Sequence, residues 1–261
     1  MNNLLRAVFA LLALFAAQGA HAGEISDVGV NAYWGADNHG YGDVIGSSTY
    51  DISGATITRV GSVLTVTIAT NFAGHAGDNP GQAAGGIGYG DVFLAQTWNP
   101  FGTDAHHVND TAANGTKWSY GLSLNNRWSN TGGTFKLYKL NGATNAANID
   151  NSETFMSCTL VNNCLYRDGQ ETAVRKTSSS VQDLGLTGQW TVTANQKLQF
   201  QFDMKSTELM NFSSFAMHWG ETCQNDVIEG LVKLPEPGGI SLAMLGLGAM
   251  VVMRRRKKPQ E

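Results

Sequence analysis

Between residues 55 and 232 short runs of the chain alternate apolar and polar residues with a period of two, the signature of strands with one buried face. Residues 55–60 (ATITRV) and 63–68 (VLTVTI) flank Gly61-Ser62 and predict a β-hairpin. Runs of the same kind fall at 91–96, 117–124, 134–140, 189–193, 198–204, 212–219 and 226–232. Stretches rich in Gly, Asn and Asp separate them, notably 74–90 and 141–151. Between the two ends of the chain no window keeps a helical period for three turns, although 206–210 suits a single turn. The pattern predicts an all-β fold: one antiparallel β-sandwich or jelly-roll-like domain over residues 23–233. No repeat of fixed period is present, which disfavours a propeller or a solenoid.

The ends of the chain read differently. Residues 1–22 hold Arg6, an apolar run at 7–17 and Ala20-His21-Ala22, the three regions of a secretory signal peptide with cleavage before Gly23. At the other end, Pro235-Glu236-Pro237 is followed by residues 238–253, which carry no charge, and then by Arg254, Arg255, Arg256, Lys257 and Lys258. A helix over 238–253 would rise about 24 Å, a short transmembrane span. The basic cluster places its end on the cytoplasmic side.

This tail resembles the PEP-CTERM sorting signal of exported proteins in Gram-negative bacteria that make extracellular polysaccharide. The likeness covers about 25 residues, with Leu234 where Val is common. It implies processing by signal peptidase and by an exosortase-type enzyme that cuts near Pro235-Glu236-Pro237. The cargo would be anchored transiently in the inner membrane and then passed to the cell surface or the extracellular matrix. Residues 215–229 are also similar, more loosely, to the closing strands of exported PEP-CTERM cargo proteins, a likeness that brings no chemistry with it.

Charge sharpens this reading. Of 17 basic residues six lie in the end segments, leaving 11; of 21 acids two lie there, leaving 19, so the cargo carries about −8. A net charge of that sign argues against nucleic acid as a partner. The exported compartment favours pairing of cysteines, and the five residues between Cys158 and Cys164 suit a disulfide, with Cys223 left over.

Chemistry within the cargo is sparse. Glycoside hydrolysis needs two opposed carboxylates, for which Glu208, Glu221, Asp226 and Glu229 are candidates, Glu229 also reading as a solvated strand face. His218 reads as a packed strand histidine, and no nucleophile elbow is present. The set Asp104, His106, His107 and Asp110 is the densest group of potential metal ligands, yet adjacent histidines on an extended chain face opposite ways. The Gly-containing acidic loops at 37–43, 78–81 and 88–91 suit calcium, the one ion the sequence suggests; no other cofactor is implied.

A polysaccharide-binding face would be built from Trp34 and Tyr41, whose rings flank the loop bearing Asp37 and Asp43. Trp118 and Trp190 read as core. The expectation is a non-enzymatic exported surface or matrix protein; the alternatives are a carbohydrate-binding module for exopolysaccharide, with calcium assisting, and a polysaccharide-active enzyme.

Overall fold

A computed structural model describes residues 21–27, 44–104, 107, 109–157 and 166–234. Among these residues there is no α-helix, and no helix long and apolar enough to cross a membrane. The described residues form twelve strands: β1 (His21–Ser26), β2 (Ile52–Val60), β3 (Val63–Thr70), β4 (Val92–Ala95), β5 (Tyr120–Leu124), β6 (Gly132–Leu140), β7 (Ile149–Asn151), β8 (Glu171–Val174), β9 (Val181–Thr193), β10 (Lys197–Asp203), β11 (Ser214–Gly220) and β12 (Val227–Lys233). The expected single turn is a 3-10 turn at Glu208–Asn211.

Ten strands make one antiparallel sheet in the order β1-β2-β3-β10-β9-β6-β5-β4-β11-β12; β7 and β8 form a separate pair. The all-β antiparallel expectation is therefore met. Hydrogen bonding runs through one continuous sheet, which curls until its two edge strands meet. At the meeting line a Cβ on Gly23 would lie 2.1 Å from Val232 Cγ1, and one on Gly230 would lie 2.9 Å from Ile25 Cγ2. Only glycine lets the two edges come this close. The result is nearly a barrel, with β1 and β12 shielding each other's edges.

Burial patterns explain why the sequence alternates in some strands and not in others. In β3 residues are alternately buried and half-buried, because its outer face meets water. In β4, β5 and β11 nearly every residue is buried. Leu94, Leu122, Phe215, Met217 and Trp219 point into the main core. Phe93, Ala95 and Ala216 face outward into a second cluster with Trp118, Tyr138, Leu140, Ile149 and Val174. That outer layer is supplied by the segments around β7 and β8, and a Cβ on Gly121 would lie 2.4 Å from Val174 Cγ2.

The main core is aromatic. Trp190 stacks on Phe200 at 6.1 Å between ring centres, and Tyr89 meets Trp190 edge-on at 5.4 Å. Rings of this kind bury about 150–250 Å² each, or roughly 4–6 kcal/mol of transfer free energy. Trp118 and Trp190 are buried, as read from the sequence.

Candidate functional site

The chemistry expected of single residues converges under the outer layer. His218 on β11 stands directly across the ladder from Glu229 on β12. Its Nδ1 is 2.9 Å from Glu229 Oε2, and its Nε2 is 2.8 Å from the Glu171 carbonyl on β8. Glu171 Oε2 approaches Nδ1 to 4.0 Å. Trp118 Nε1 donates to Glu171 Oε1 at 3.0 Å, and Asn145 Nδ2 donates to the same atom at 3.1 Å. Trp98 Nε1 donates to Glu229 Oε1 at 2.8 Å. Asp110, in the loop that follows β4, accepts from the Phe101 amide at 3.1 Å.

Asp110 and Glu171 hold their protons more tightly than free carboxyl groups do. Burial pushes Asp110 up to about 8, and the charges of Glu229 and Glu171 add to the shift. Burial likewise raises Glu171 to about 7, with His218 opposing and Glu229 reinforcing. For His218 burial favours the neutral ring, but the hydrogen bond to Glu229 and the nearby Glu171 carboxyl outweigh it, so its pKa is raised. The cluster is also sealed: side-chain exposure is 0% for His218, 4% for Glu171 and 5% for Glu229. A general acid must touch its substrate, and these atoms are covered.

A second polar group lies in the turn joining β11 to β12, where residues 221–226 are all buried. Burial and the charge of Asp226 raise Glu221 well above the carboxylate range, and burial with Glu221 does the same to the Cys223 thiol. Asp226 accepts from the Ile52 amide at 2.6 Å and from the Val227 amide at 2.8 Å. Arg167 Nη1 donates to the Asn225 carbonyl at 2.9 Å and brings the compensating positive charge.

A surface groove of about 530 Å³ lies beside β5 and β6, lined by Lys117, Tyr120, Lys139, Glu208 and Phe212 among others. Lys139 Nζ and the Tyr120 hydroxyl meet on Glu208 Oε2, at 2.9 Å and 3.1 Å.

The structure places the four candidate carboxylates at three sites: Glu208 lies in the groove, Glu221 and Asp226 together in the buried turn, and Glu229 in the sealed cluster. Glu229 is not a solvated strand face, because the loop carrying Trp98 folds over it. His218 is a packed strand histidine, as expected. Its partner Glu171 was missed, since β8 is four residues long and has no alternation. Asp91 of the 88–91 loop is consumed internally: it accepts from the Leu124 and Val174 amides at 3.0 and 2.9 Å and pairs with Arg127 at 3.2 Å. Asp78 bonds His75 at 2.9 Å. Among the described residues no group of three or more His, Cys, Asp or Glu is placed to hold a metal ion.

Trp34, Asp37, Tyr41, Asp43, Cys158, Cys164, His106, Ala20, Pro235, Glu236, Pro237, Arg254, Arg255 and Arg256 lie outside the described residues. Ala22 pairs with Thr58 near the start of β1. Comparison with protein-family models, with curated proteins and with solved structures returns no match.

Proposed function

We propose that this chain is an exported cargo protein of the PEP-CTERM kind, delivered to the cell surface or extracellular matrix, with a β-domain that is non-enzymatic. The observation that carries the reading is the ordered tail: Pro235-Glu236-Pro237, the uncharged 238–253 and the basic 254–258. A simple anchor needs the last two of these and not the first. We take the curled sheet as the flattened, jelly-roll-like body of that cargo. The sealing of the His218 cluster supports a structural rather than catalytic use of its carboxylates.

Cleavage before Gly23 would trim His21 and Ala22 from β1 and leave Gly23 to Ser26 paired with Ile57 to Gly54. At the other end Leu234, the residue before the motif, is 6% exposed and its amide bonds the Ser213 carbonyl at 3.0 Å, so the body is packed up to that residue. Fractionation of cells expressing the full chain with Glu236→Gln and Pro237→Ala tests the reading. The double variant should stay in the inner membrane at full length while the parent is released; release of both equally would contradict it.

Polysaccharide binding by the same cargo is the second reading. Solvent reaches Phe101 (50% exposed) and Trp128 (42%), as stacking on a sugar requires. Exopolysaccharide pull-down with and without calcium, on the parent and on Trp34→Ala and Trp128→Ala, tests it. Equal retention by all three would argue against aromatic stacking.

A further inference from the structure

The two edge strands run antiparallel, so the beginning of β1 and the end of β12 lie side by side. The start of β1 and the end of β12 therefore mark one pole of the body. The β2–β3 hairpin tip is there too, because His21 pairs with Arg59. The Met204 amide bonds the Ser62 carbonyl at 2.8 Å, which brings Lys205 to the same place. Phe212 joins it through its carbonyl, which accepts from Arg59 Nη1 at 3.5 Å. Phe212 also lines the groove that holds Lys117 and Lys139.

Charge is distributed unevenly about this axis. Arg59, Lys117, Lys139, Lys205 and Lys233 gather at the terminal pole, five of the 11 basic residues of a body carrying about −8. Asp203 and Glu208 offset two of them, through Lys205 at 3.5 Å and Lys139 at 2.9 Å. Arg59, Lys117 and Lys233 have no such acidic partner in the described ion pairs. Val60, 47% exposed, stands beside Arg59 at the tip of the hairpin. The opposite pole, where β2 begins and β3 ends, carries Asp51, Asp78 in its pair with His75, and a single lysine, Lys197.

We propose that this basic pole is a docking surface for an anionic lipid bilayer, which the domain meets end-on. The inference rests on the export reading for the direction in which the end segments lead, and on the described charges for the contact itself. Lysines and arginines close to an anionic surface each gain about the same small increment, and a single exposed valine adds an apolar foothold. The opposite pole lacks this concentration of basic residues, so the contact favours one orientation.

Hydrogen exchange on the full chain, mixed with vesicles of phosphatidylglycerol and phosphatidylcholine or of phosphatidylcholine alone, tests the proposal. Amides at 59–63 and 203–207 should exchange about tenfold more slowly on the anionic vesicles, the change produced by about 1.4 kcal/mol. Amides at 124–131, between β5 and β6 at the far end, should not change. Salt near 1 M, which shortens the screening length to about 3 Å, should abolish the difference. So should Lys117→Glu with Lys233→Glu, two exposed positions whose reversal leaves the circular dichroism spectrum unchanged.

Equal exchange at the pole on both vesicles, or slowing at both poles, would overturn the proposal. Protection by a soluble polyuronate but not by vesicles would overturn it in favour of an acidic glycan. Flotation separates this result from the export reading. A chain that floats with both vesicle types but shows no selective protection keeps its anchor and loses the docking surface. A chain that fails to float with phosphatidylcholine loses the anchor, whatever the exchange shows.

Discussion

Replacing Asp110 by Asn should flatten the pH dependence of the domain's stability. In the native state Asp110 is raised to about 8, whereas an unfolded aspartate titrates near 3.9. Between pH 5 and pH 8 the native protein therefore holds close to one proton that the unfolded chain has released. Stability falls with rising pH wherever the native state binds more protons, by about 1.4 kcal/mol per pH unit per proton. Three units give at most about 4 kcal/mol from Asp110 alone.

Glu171, raised to about 7, loses stability in the same direction. The stability that His218 contributes is present below its ordinary pKa and lost as pH rises through the raised one, so it too has this sign. For a domain of about 200 residues a loss of 4 kcal/mol lowers Tm by roughly 8–16 °C. Urea unfolding or calorimetry of the cargo at pH 5 and pH 8 reads this directly. The parent should be clearly less stable at pH 8, and Asp110→Asn should lose much of that slope, since the amide retains an acceptor for the Phe101 amide. Equal stability at the two pH values, or greater stability at pH 8, would refute the account of the buried cluster.

Other consequences follow from single positions. Asp91→Ala should cost about 3–5 kcal/mol in chemical denaturation, because Arg127 would be left buried and two amides would lose their acceptor. A Cβ at Gly90 would lie 2.3 Å from the Gly220 carbonyl oxygen, so Gly90→Ala should destabilise by about 3 kcal/mol in the same assay. The buried Cys223 thiol, with its raised pKa, should resist alkylation until the protein unfolds. Peptide mapping without reductant should find Cys158 and Cys164 joined; alkylation of both in the native protein would rule the bond out.

Where one strand face meets solvent, the sequence was legible. The β2–β3 hairpin turns at Gly61-Ser62 as the alternation predicted, and β10 and β12 fall where their runs do. Legibility failed where both faces are covered. β7 and β8 are too short to show a period, so neither the outer layer nor Glu171 was visible beforehand. The same omission made Glu229 look solvated: a strand's alternation tells that a residue faces outward but not that a loop returns over it. β1 was hidden differently, since its first two residues were read as the end of the signal. The pairing of the first strand's start with the last strand's end is a property of sheet order, which local pattern does not encode.

The export reading is tested most directly by mass spectrometry of the protein recovered from surface and matrix fractions. The account predicts a mature chain that begins at Gly23, ends near Pro235-Glu236-Pro237 and lacks any peptide from 254–258. Recovery of intact Arg254 to Lys258 on the mature surface protein would contradict it.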